Sequence, residues 1–174
     1  MRISRILVAR MKLAFIITVI FLGLLMAGAF IPLGAEEGEA LEKELEKLGE
    51  NSLELGIFLN NFGVALLAAI PFAGPPIAGY IIFHTGRFLG WISVQSGIPL
   101  TFVIPFALLL ILFSGYGILE FLGYGVTTAE SLTISYYILK SRQLLKRELK
   151  ILLITILISA LLLALGAIIE AALI

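Results

Sequence analysis

The chain has 174 residues, 60% of them hydrophobic and 14% charged, with equal numbers of basic and acidic side chains. That balance lies outside the range of ordinary soluble domains and points to an all-α protein of the membrane. There is no cysteine, one histidine and no aspartate, which excludes disulfides and thiolate metal sites and leaves little material for a hydrolytic centre.

About twenty apolar residues cross a bilayer as a helix. The first span is expected over about 12–33, behind Arg2, Arg5, Arg10 and Lys12. Ala27-Gly28-Ala29 would suit signal cleavage, but the apolar core exceeds the ~7–15 residues of a signal, so an uncleaved anchor is expected. The segment 36–54 follows, with eight glutamates against Lys43 and Lys47. Leu41, Leu45 and Leu48 recur at helical spacing and Gly49 is a suitable stop, so a short amphipathic helix is expected; a solvated charged loop is the other reading. Asn51 and Glu54 resemble a capped start for the next span.

That second span is expected over about 57–83, and Pro71 with Gly74-Pro75-Pro76 must kink or break it near its middle. His84 and Arg87 are expected in a cytoplasmic turn. The third span is expected over about 98–113, the fourth over about 117–139 and the fifth over about 149–173, with Lys140, Arg142, Lys146, Arg147 and Lys150 between the last two. Five crossings of a single domain, 1–174, with the N-terminus inside and the C-terminus outside, place every basic group on the cytoplasmic face of the cell membrane and the acidic segment outside.

The fourth span is polar on one side. At 100° per residue Tyr116, Glu120, Tyr124, Thr127, Ser131 and Ser135 share a face, with Gly123 and Glu130 beside it and Ile118, Leu122, Ala129 and Leu132 opposite. Such a stripe has to meet helices or water rather than lipid. By depth, Glu120 shares an outer layer with Asn60 and Asn61 of the second span and Glu170 of the fifth. Glu130 lies deeper, with no basic residue expected inside a span to neutralise it, and with Thr127 and Ser131 it forms a candidate proton or cation site. Three roles are open for these groups: hydrogen bonds between helices, a cation or proton site, and a groove for a partner. No metal site and no cofactor is expected, since HExxH, GxSxG and phosphate-loop motifs are absent. The two Gly-Tyr-Gly triplets lack the Thr-Val of a potassium filter, so helix packing through small residues is expected of them.

"FLNNFGVALLA" (58–68), "HTGRFLG" (84–90), "GYGILEF" (115–121) and "ALGAIIEAAL" (164–173) together resemble the stage II sporulation protein M family of integral membrane proteins. The likeness covers about 51–174. Gly86 and Gly90 match the family's Asn-Gly-x-x-x-Gly turn, and Gly117 and Glu120 match its Pro-His-Gly-x-x-Glu signature, in which Gly115-Tyr116 replace Pro-His. The resemblance implies a five-span, non-enzymatic scaffold or assembly component, with Asn60, Asn61, Glu120 and Glu170 on the family's polar positions. Its partners would be the lipid bilayer and a membrane or extracytoplasmic protein, with no nucleic acid. A homodimer would help to cover the polar stripe. A small transporter that moves ions or protons on its glutamates is the alternative.

Overall fold

The computed structural model describes residues 2–48, 53–140 and 145–173. Gly49, Asn51 and Arg142, to which stop, cap and loop roles were assigned, lie outside the described residues. Seven helices and no strand occur among them: α1 (Arg2–Ala29), α2 (Ala35–Leu48), α3 (Leu53–Ala68), α4 (Gly74–Ser96), α5 (Leu100–Phe113), α6 (Tyr116–Lys140) and α7 (Leu145–Leu173). By length and composition, Val8–Ala29 and α7 can cross a membrane, and the bent α5–α6 pair would make a third if it counts as one span. The burial pattern agrees with lipid as the solvent. Phe15, Ile16, Leu153, Leu157 and Leu161 point outward, whereas Thr127, Thr128, Glu130, Ser131 and Glu148 are buried. Apolar outside and polar inside is the inverse of a water-soluble domain.

Contacts give the directions. Thr18 of α1 donates to the Phe121 carbonyl of α6 at 3.2 Å, while Arg10 reaches Glu130, so α1 and α6 run antiparallel. α7 runs against α6 as well, with Ser159 bonded to the Gly123 carbonyl at 3.1 Å and Gly166 beside Tyr116 and Glu120. α3 runs with α6, from Asn61 beside Glu120 to Ile70 beside Ser131. α4 runs with α1, Gly79 facing Leu24 and Gly90 facing Ala29. The result is an alternating bundle of α1, α3, α4, α6 and α7, with α6 at its centre and α2 and α5 at the end where α1 finishes.

Three expectations are corrected. The segment 57–83 is two helices, because Pro71 lacks the N–H that would continue α3 and Phe72 takes a left-handed backbone (φ 63°). Pro75 and Pro76 fall in the first turn of α4, where a missing N–H costs nothing. The segment 98–113 is α5, whose 14 residues reach only about 21 Å at 1.5 Å per residue, short of the ~30 Å hydrocarbon core. It turns 80° away from α6 through Gly115, at φ 88°, and buries none of its residues. Finally, His84 and Arg87 lie within α4 at the same end as α2 rather than opposite the acidic segment. Arg87 donates from Nε to the Ile31 carbonyl at 3.0 Å, and His84 Nε2 lies 3.0 Å from Glu37.

α1 and α4 pack backbone to backbone. A Cβ on Gly86 would run into the Leu25 carbonyl, one on Gly28 into that of Phe83, and one on Gly90 into that of Ala29. Close approach of this kind gives van der Waals contact where lipid leaves no hydrophobic drive between helices. Gly123 and Gly125 of the second triplet do the same for α6, against Leu163 of α7 and Thr18 of α1. Gly86→Ala should therefore lower the melting temperature in detergent, at a cost of about 1–3 kcal/mol for overpacking. Gly23→Ala, which meets nothing within 4 Å, should melt like the parent; equal melting of both variants would show that α1 and α4 are not so tightly apposed.

Candidate functional site

The outer layer assembles around Glu120. Asn61 of α3 donates from Nδ2 to Glu120 Oε1 at 2.6 Å and accepts from Asn60 at 3.4 Å. On α7, Gly166 faces Glu120, and a Cβ added there would lie in van der Waals contact with its Cγ. Glu170 follows one turn later on the same face and lines the same cavity as Glu120. All four predicted residues, Asn60, Asn61, Glu120 and Glu170, line one cavity of about 560 Å³. Tyr80 and His84 of α4 close its side, α5 contributes Leu110 and Ile111, and Leu41 and Leu45 of α2 form its roof.

α2 is seated by sequence. Gly38 lies flat on the Trp91 ring, where any side chain would collide, and Glu37 reaches both His84 and Arg87, the latter at 3.6 Å. The hydrogen bond from His84, helped by the charge of Arg87, holds the Glu37 carboxyl below its ordinary value. The acidic segment is thus a helix with a docking partner and not a free loop.

The deeper candidate site is arranged differently from the expectation. Glu130 is 3% exposed and Glu148 fully buried, and the guanidinium of Arg10 bonds to both, joining α1, α6 and α7. Arg147 adds two further bonds to Glu148 Oε1, at 2.8 and 3.1 Å. A basic residue does therefore neutralise Glu130. The arginine was missed because the first span was started at Lys12, whereas the helix begins two turns before Arg10 and carries it into the bundle; the apolar run Ile6–Ala9 was the available signal. Glu148, a single acid among basic residues, was the second.

Thr127 and Ser131 do not join Glu130. Thr127 bonds the Gly123 and Tyr124 carbonyls of its own helix, each at 3.1 Å. Ser131 donates to the Ile70 carbonyl at 2.7 Å, and Ser135 accepts from the Phe72 N–H at 2.7 Å. These two serines satisfy backbone groups freed by the break between α3 and α4, which nothing else in an apolar surrounding would satisfy. One Glu130 oxygen, Oε1, is left without a partner. Among the described residues no three His, Cys, Asp or Glu side chains gather as a metal site would require.

Removing Arg10 would strand the buried Glu130 and leave Glu148 with Arg147 alone. Arg10→Ala should cost about 3–5 kcal/mol, the range for breaking a buried ion pair from one side, with loss of melting temperature in detergent as the measure. A parent-like melt would mean that Arg10 sits outside the bundle. The seat of α2 should respond to acid. Because the Glu37 carboxyl is held low, the contact is complete above the ordinary carboxylate range and is lost as pH falls through the lowered value. The chain's single tryptophan reports it: Trp91 emission should shift to the red on acidification and be shifted already at neutral pH in Glu37→Gln. Emission that ignores both changes would show that α2 is held by other contacts.

No protein-family model, no curated protein and no solved structure matches the chain.

Proposed function

We propose that the protein is a multi-pass, non-enzymatic scaffold of the cell membrane, similar to stage II sporulation protein M, which offers the cavity beneath α2 to a membrane or extracytoplasmic protein partner. In this reading the bilayer is crossed five times, by α1, α3, α4, α6 and α7, with the N-terminus inside, while α5 lies along the outer leaflet. The distribution of charge supports that orientation. Arg10, Lys12, Lys140, Lys146, Arg147 and Lys150 gather at one end of the bundle, and the glutamates of α2 at the other, which is the asymmetry of the positive-inside rule.

The observation that carries the scaffold reading is how the polar groups below the cavity are used. Glu130 is neutralised by Arg10, and Thr127, Ser131 and Ser135 bond to backbone carbonyls and an amide. A conducting protein needs polar groups that can hand an ion onward, and these are committed to bonds within α6 or between helices. The stripe on α6 is also covered within one chain, so its burial does not call for a second copy.

Vesicles carrying the purified protein should show the proton and cation flux of empty vesicles. A photoreactive side chain at Asn60 should capture one protein in native membranes, and Glu120→Gln should abolish the capture. Flux in the parent that Glu130→Gln removes would instead make the protein a transporter and overturn the scaffold.

A further inference from the structure

The two acidic clusters, one buried and one half-buried, differ in one respect: Arg10 and Arg147 neutralise the buried one, whereas the cavity at the other end has no lysine or arginine of its own. Among the described residues its lining includes neither lysine nor arginine, and His84 is its single basic side chain. Glu120 and Glu170 face one another there with Asn61 on one oxygen. Apart from Asn60 and Thr85, the rest of the wall is aromatic or aliphatic, including the rings of Tyr80, Tyr116 and Tyr124.

This chemistry selects its occupant. An anion would meet two carboxyl groups. A neutral apolar molecule would leave them uncompensated. An inorganic cation would have to shed its hydration in a cavity whose wall is mostly aromatic and aliphatic, and that wall would return nothing for it. A positive group carried on an apolar body satisfies every part: charge against the carboxylates, cation–π contact with tyrosine faces, and apolar surface against Leu25, Val64 and Ile111. At about 560 Å³ the cavity falls within the ~300–1,000 Å³ of small-molecule sites. α5, which forms one wall and buries none of its own residues, offers entry from the lipid.

We propose that this cavity binds a lipophilic organic cation drawn from the membrane, with Glu120 and Glu170 as its counter-charge. The inference uses the same cavity as the scaffold reading but does not need a protein partner. Tetraphenylphosphonium, titrated calorimetrically into the purified protein in detergent, should bind saturably at one site per chain. Glu120→Gln and Glu170→Gln should each weaken the affinity at least about tenfold, as loss of a buried charge partner does. Glu42→Gln, on exposed α2, should not change it. Neutral triphenylphosphine oxide should fail to compete in the parent, a measurement that does not depend on how the variants fold.

No saturable binding by the parent overturns the proposal, as does equal competition by the neutral analogue or unchanged affinity in both glutamine variants. Saturable, carboxylate-dependent binding without any protein captured from Asn60 would sustain the proposal and overturn the scaffold. Capture without cation binding would do the reverse.

Discussion

The guanidinium of Arg10, shared between Glu130 and Glu148, sets the level to which three helices distant in sequence must be fitted. Taking these ions out of water costs several kcal/mol each, and only good geometry with further hydrogen bonds repays it. Glu148 receives such bonds from Arg10 and from Arg147. Once α1 and α6 are matched at Arg10 and Glu130, two turns of antiparallel helix bring Thr18 to the Phe121 carbonyl and Gly125 to Ala14. The upper half of α1, with Leu25, Gly28 and Ala29, is then free to receive α4.

A second constraint sits at the same depth. Breaking a helix beneath an apolar surface frees carbonyls and amides that lipid cannot satisfy. α6 supplies Ser131 and Ser135 at the break, one helical turn apart, and that spacing ties α3 to the register already imposed by Arg10. Asn61 then arrives beside Glu120 nine residues before Ile70, on the outward side. The polar layer of the outer end is in this sense a consequence of the contacts below it. Its position on α3 could not shift without stranding the Ile70 carbonyl and the Phe72 amide.

Much of this was readable from residue spacing. The stripe on α6 repeats at three and four residues, and depth counting placed Asn60, Asn61, Glu120 and Glu170 together before any contact was known. The break at Pro71 was readable too, because proline and glycine act locally. What escaped depended on direction in space. The chain reverses between α3 and α4 at a single left-handed residue, Phe72, and a hydropathy window cannot register a reversal. Arg87 accordingly lies at the same end as the acidic segment, bonded to the Ile31 carbonyl, and not opposite it. α5 has the composition of a span, but its 14 residues are fewer than a helix needs to cross alone. Arg10 escaped for the opposite reason: charge was taken as the edge of a helix when it was a group carried into it.

The two ends of the bundle therefore solve the same problem in different ways. Below, carboxylates are neutralised by arginines of the same chain. Above, Glu120 and Glu170 meet carboxamides and one another, and a cavity remains between them and α2. The elements around that cavity are also the least embedded. α2 is held by Glu37, Gly38 and two leucines, and α5 contributes no buried residue at all. Regions with few buried contacts open at lower free energy than the core they rest on. Buried contacts thus concentrate at the Arg10 end of the bundle, and the cavity lies at the end where the packed elements, α2 and α5, contribute fewest.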